Sequence, residues 1–209
     1  MKIVFFGDSI TDMGRSQDVD GQAFGYGVGY VNSAASALKY ENPVKYDIIN
    51  RGIGGNRVVD LNLRLEKDVL AHNPDLVSIL IGVNDVWHGI DWGNGVDLAT
   101  FEKEYRTLLE RIRRKFNNVK FILCEPFVLK GSITEAKYEE FRKVKDYAIV
   151  VKQLAEEVGA GFVELQDKFD AAAEKYGAVH YLFDGVHPDI AGGKLIAEEW
   201  LKVFKAMCD

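Results

Sequence analysis

Five short apolar runs punctuate the chain, at Ile3–Phe6, Tyr46–Ile49, Leu76–Ile81, Val119–Cys124 and Gly161–Val163. They are rich in Val, Ile and Phe, and several are apolar at consecutive positions, as strands covered on both faces must be. Longer stretches of helical period separate them. Val58, Leu61, Leu65 and Val69 recur at intervals of three or four, as do Phe101, Tyr105, Leu108, Ile112 and Phe116. Tyr138, Phe141, Val144, Ala148, Val151, Leu154 and Val158 form one longer stripe. A last helix is expected after Pro188, which suits a helix start, with Ile196, Trp200, Val203 and Met207 facing inward.

This β-α-β-α alternation predicts an α/β fold with a parallel sheet between two helical layers. In such sheets ligands bind beyond the carboxyl ends of the strands, so chemistry is sought there. The glycine-rich stretch Asp20–Tyr30 reads as a loop leading into a helix. Gly82–Gly95 reads as irregular, because it carries several glycines directly after a strand. No repeat, low-complexity tract or linker interrupts the 209 residues, and one domain over residues 1–209 is expected.

Composition narrows the partners more than the fold. A net charge of −6 argues against nucleic acid, which demands a dense basic face, and against an anionic membrane surface. The two cysteines, Cys124 in an apolar run and Cys208 near the end, have no disulfide or metal spacing. No run approaches a membrane span, and the apolar start is too short for a secretory signal, so a cytoplasmic location is expected.

Four polar segments fall where strands end or a late loop passes: Gly7-Asp8-Ser9, Asn50 to Asn56, Gly82-Val83-Asn84-Asp85 and Asp184-Gly185-Val186-His187-Pro188. Alone, Ser9 reads as a turn or cap serine, His187 as a loop histidine and Asp184 as a turn aspartate. Together they are the parts that acyl transfer requires. A serine hydroxyl becomes a nucleophile when an imidazole accepts its proton and a carboxylate orients that imidazole. Asp184 and His187 are three apart, close enough for the carboxylate to reach the near ring nitrogen while the far one faces Ser9. Backbone N–H groups at Ser9 and Gly55, with the side-chain amide of Asn84, supply donors for an oxyanion.

These segments resemble the sequence blocks of the SGNH (GDSL-type) hydrolases, in family order and across residues 7–188. The stretches "GDSITDMGR", "NRGIGGNRVVDL" and "IGVNDVW" look most like the intracellular acetyl-xylan esterase branch. The resemblance implies a three-layer α/β/α sandwich with a five-stranded parallel sheet, flavodoxin-like in layout. It implies Ser9 as nucleophile, Asp184 and His187 as its partners, Ser9, Gly55 and Asn84 as oxyanion donors, and no metal or organic cofactor. Ile10 stands where the family's short name has leucine, an apolar exchange.

The expected substrate is a small ester, most like an acetylated sugar. Substrate-contact candidates are Asp8, Arg57 and Trp87, although Asp8 also suits a turn-fixing role; Trp87 and Trp92, with Phe24 and Tyr26, are candidates for an aromatic wall. Exposed Trp and Phe loops permit a homo-oligomer without requiring one. Competing readings are a lipase or thioesterase for longer acyl chains, a metal-dependent phosphoesterase using Asp8, Asp12, Asn84, Asp85 and His187, and a non-catalytic binding domain. A dinucleotide site at "GIGGNR" is disfavoured, because Arg57 stands in place of the third glycine.

Overall fold

A computed structural model describes residues 1–208. Five strands, β1 (Lys2–Gly7), β2 (Asp47–Gly52), β3 (Leu76–Leu80), β4 (Lys120–Cys124) and β5 (Gly161–Val163), form one parallel sheet in the order β2-β1-β3-β4-β5. Among the described residues ten α-helices accompany it: α1 (Ser9–Asp12), α2 (Ala23–Tyr26), α3 (Tyr30–Glu41), α4 (Val58–Asp68), α5 (Val83–Asp91), α6 (Leu98–Lys115), α7 (Tyr138–Phe141), α8 (Val144–Val158), α9 (Gln166–Tyr176) and α10 (Ile190–Cys208). The strand order reverses direction at β1. With right-handed crossovers, α3 therefore lies on one face, and α4, α6 and α8 lie on the other. The packing agrees: α4 touches α6, α6 touches α8, and α10 returns to pack on α3.

All five apolar runs became strands; four keep both ends to within one residue, and β2 runs three residues further, to Gly52. The core follows the same pattern: Ile3, Val4, Phe5 and Phe6 of β1 are each 0% exposed, as strands clad on both sides require. Ser78 is the polar exception on β3. It is buried because its hydroxyl accepts the indole N–H of Trp200 on α10 at 2.9 Å.

Four expectations need correction. Residues 82–95 are irregular only in part, since α5 occupies Val83–Asp91 and leaves residues 92–95 as the loop after it. Gly95 serves close approach: a Cβ on it would lie 2.6 Å from both the Asp85 carbonyl and the Gly89 nitrogen, where the chain folds back over the helix. The stripe from Tyr138 to Val158 is broken at Arg142–Lys143 into α7 and α8. Pro188 does not open α10. It bridges to Leu182, and Asp189 caps the helix by accepting the N–H groups of Ile190 and Gly193. On α10, Ile196, Trp200 and Phe204 are buried, whereas Val203 and Met207 are half-buried over Gly161 of the edge strand.

The sheet register sets up the site. Gly7 of β1 pairs with Gly52 of β2 and with Leu80 of β3, so three strands end level. Both glycines are obligatory for packing. A Cβ on Gly7 would meet the Leu80 carbonyl at 2.4 Å, and one on Gly52 would meet the backbone nitrogen of Asp12 at 2.1 Å. Helix α1 thus rests directly on the end of β2. Gly52→Ala should cost about 3 kcal/mol, the upper part of the overpacking range, and lower Tm by about 6–12 °C. Thermal unfolding followed by circular dichroism checks this; an unchanged Tm would mean that α1 does not bear on β2.

Candidate active site

The chain leaves β1 through Asp8, whose carboxylate accepts the Ile10 N–H at 2.9 Å and caps α1. Ser9 is the first residue of that helix, so its own N–H has no intrahelical acceptor. Its hydroxyl lies 2.9 Å from His187 Nε2. His187 Nδ1 lies 2.6 Å from Asp184 Oδ2, while Asp184 Oδ1 accepts the backbone N–H groups of Val186 (2.9 Å) and His187 (2.8 Å). The loop before α10 is therefore folded around one carboxylate, and that carboxylate turns the imidazole toward Ser9.

Electrostatics sharpen this arrangement. Burial pushes the Asp184 carboxyl up, but the His187 ring and the two backbone donors outweigh it and hold the group below its ordinary value. Asp184 is thus ionised beside the ring. In turn its hydrogen bond raises the His187 pKa above the usual imidazole value, against the opposing pull of burial, with Asp8 adding to the rise. Asp8 and Asp85 behave oppositely. Burial without a charged partner in contact pushes Asp8 up to about 7 and Asp85 up to about 8.

Two further strand ends meet Ser9. After β2, Ile53 donates its N–H to the Gly7 carbonyl at 3.1 Å, bringing the glycine turn across. A Cβ on Gly54 would lie 3.8 Å from that of Ser9, and Gly55, at φ 77°, is exposed, with its N–H donating to no acceptor among the described residues. After β3, Asn84 is buried at the start of α5 and donates one amide hydrogen to the Asn56 carbonyl at 3.1 Å. Its neighbour Asp85 accepts the Val58 N–H at 3.0 Å and so fixes the start of α4. Ser9, Asp184, His187, Gly55 and Asn84 thus lie on helix starts and loops that the fold brings together.

The remaining candidates divide. Asp8 is fully enclosed, which suits the capping role and leaves no surface for a substrate. Arg57 is half-buried. It binds Asp60 through Nε at 3.0 Å and the Asn94 carbonyl through a guanidinium nitrogen at 2.5 Å, tying the glycine turn to the loop after α5. Trp87 lines the site: its ring lies 6.1 Å from that of His187, 5.9 Å from Trp92 and 5.9 Å from Phe141. Tyr26 belongs to the core rather than to an aromatic wall, being 4% exposed. Phe183, missed in the sequence, takes a place in that wall; it stacks on His187 at 5.8 Å and 17°. Its position directly before Asp184 was the available signal. Of the other histidines, His72 contacts Arg51 and His88 contacts Trp92. Among the described residues, no three or more His, Cys, Asp or Glu side chains cluster as metal ligands would, and no helix is long and apolar enough to cross a membrane.

Known proteins share this fold. The GDSL-like lipase/acylhydrolase family model matches residues 5–195. An acetylxylan esterase from Geobacillus stearothermophilus is 36% identical over 208 residues, spanning 96% of this chain and 92% of that protein. A crystal structure of that esterase, Axe2, superposes with a TM-score of 0.86 at 36% identity, covering 97% of this chain and 93% of its own. Variants of Axe2 described as catalytic mutants change a serine, an aspartate and a histidine, the last two three positions apart. A Parabacteroides merdae structure assigned to the GDSL-like lipases gives a TM-score of 0.91 at 38% identity, covering 98% of this chain and 95% of its own. The chain belongs to the GDSL-like lipase/acylhydrolase family and is a carboxylic ester hydrolase close in sequence and structure to an acetylxylan esterase.

Proposed function

We propose that this esterase removes acetyl groups from carbohydrate O-acetyl esters through a Ser9–His187–Asp184 triad. The observation that carries the mechanism is the unbroken hydrogen-bonded chain from Ser9 Oγ through both ring nitrogens of His187 to Asp184. Ser9 attacks the ester carbonyl as His187 Nε2 takes its proton, and Asp184 stabilises the imidazolium that forms. The Ser9 and Gly55 N–H groups and the second amide hydrogen of Asn84 receive the oxyanion. Collapse of the tetrahedral intermediate expels the sugar alcohol, protonated by His187, and leaves acetyl on Ser9. Water then attacks that acyl group, giving a proton to the same imidazole, and the second tetrahedral intermediate collapses as His187 returns that proton to Ser9 Oγ and acetate departs.

Similarity to a relative named for acetylxylan, together with the Trp87 and Phe183 rings beside His187 and Trp92 against Trp87, supports the sugar substrate. Aromatic faces offer the apolar surface on which a pyranose ring packs while its hydroxyls stay in water.

Hydrolysis of p-nitrophenyl esters from acetyl to palmitoyl tests the proposal. The expected result is a strong acetyl preference, unaffected by a chelator, with Ser9→Ala lowering kcat by about 10⁶; acetylated xylo-oligosaccharides should also be deacetylated. A long-chain optimum would move the substrate to lipids, and activity that outlives Ser9 would overturn the mechanism.

The pH dependence follows from His187. Only neutral imidazole accepts the serine proton, and Asp184 favours the charged ring. Activity should therefore rise with pH through one ionisation whose midpoint lies above about 6.5, the ordinary imidazole value. In Asp184→Asn that midpoint should move down, because the neutral amide no longer favours imidazolium, and kcat should fall by about 10⁴. A midpoint unmoved by this change would remove Asp184 from the triad.

A further inference from the structure

Arg64 carries no signature of chemistry in the sequence, yet it connects the loops of the site. It lies on α4 with its side chain only 14% exposed. Its guanidinium donates four hydrogen bonds: Nε to Asn56 Oδ1 at 2.6 Å, one terminal nitrogen to the Arg51 carbonyl and to Asp68 Oδ2, both at 2.8 Å, and the other to the Gly7 carbonyl at 2.8 Å. The same group lies over the Phe6 ring, 4.4 Å from its centroid.

Two of these acceptors stand next to candidate reacting groups. Gly7 precedes Asp8-Ser9. Asn56 follows Gly55, and its own carbonyl accepts one hydrogen of the Asn84 amide at 3.1 Å. An amide NH₂ is planar, so anchoring one hydrogen aims the other. One planar fork therefore holds the end of β1, the glycine turn after β2 and, through Asn56, the amide that follows β3.

A partner for Asp68 alone would need neither the fork nor these carbonyls. Lysine would serve that ion pair, but a single ammonium lacks the planar fork that spans all four acceptors. We propose that Arg64 is a positioning residue for the oxyanion hole: it fixes Gly7 and Asn56 so that the donors of Ser9, Gly55 and Asn84 converge on one point. This inference rests on the serine mechanism and oxyanion roles given above.

A double-mutant cycle tests it, with kcat normalised to titrated active sites and p-nitrophenyl acetate as substrate. Arg64→Lys keeps the charge and should lower kcat by about 10–10²-fold with KM changed less than about 2-fold, somewhat below the about 10²–10³ expected for Asn84→Ala. The two changes together should cost clearly less than the product of the two single losses, because Arg64 acts in part through that amide. Asn56→Ala cuts the same link without leaving a buried charge unpaired. It should show the same kcat-selective, non-multiplying loss if Arg64→Lys folds poorly. Fold-losses that multiply in both cycles, or Arg64→Lys and Asn56→Ala proteins that melt earlier but keep full kcat per active site, would overturn the inference. An unchanged kcat in Asn84→Ala would instead refute the oxyanion reading itself, and the Arg64 role with it.

Discussion

Three neighbouring parallel strands ending at one level are the constraint on which the site depends. Gly7, Gly52 and Leu80 stand in register, and each strand end releases a loop toward the same point. That register tolerates no side chain at Gly7 or Gly52, since α1 and the β3 backbone already fill those spaces. Because the strand order reverses at β1, helices diverge to opposite faces there and leave a crevice above its end. Ser9 emerges into it, and the loop before α10 brings His187 across from the last part of the chain.

Three aspartates close to this crevice show how surroundings, rather than residue type, decide a group's state. Asp184 has two backbone donors and an imidazole on its oxygens and stays ionised, so it can stabilise positive charge on the ring. Asp8 and Asp85 each accept one backbone N–H and keep a second oxygen without a partner, and burial raises both. Their task is mechanical: Asp8 sets the turn into Ser9, and Asp85 holds the beginning of α4. Asn50 works similarly, with its amide binding the carbonyls of Thr11 and Tyr26 and so tying β2 to the loops around α1 and α2.

Much of this was legible in the chain. Consecutive apolar residues such as Ile3 to Phe6 announce a doubly covered strand, and Gly-Asp-Ser after it announces a turn with reactive content. What escaped the sequence depends on distance through space. The glycines after β3 read as breaking regular structure, but α5 runs through Gly89, and the absent side chain of Gly95 lets two backbone segments touch. Nothing in the chain singles out Arg64, and only the folded structure brings it to Gly7 and Asn56. Tyr26 turned into the core and Phe183 onto His187, because an aromatic residue between strands does not by itself say which way its segment folds.

The central claim is that His187 and Asp184 make the Ser9 hydroxyl the group that attacks acyl carbonyls. Reaction with a p-nitrophenyl alkylphosphonate, followed by intact-mass measurement and peptide mapping, addresses that claim directly. One phosphonyl group per chain is expected, on the peptide containing Ser9, with esterase activity lost in proportion to labelling. Labelling at another residue, or full activity in chains fully labelled at Ser9, would contradict it.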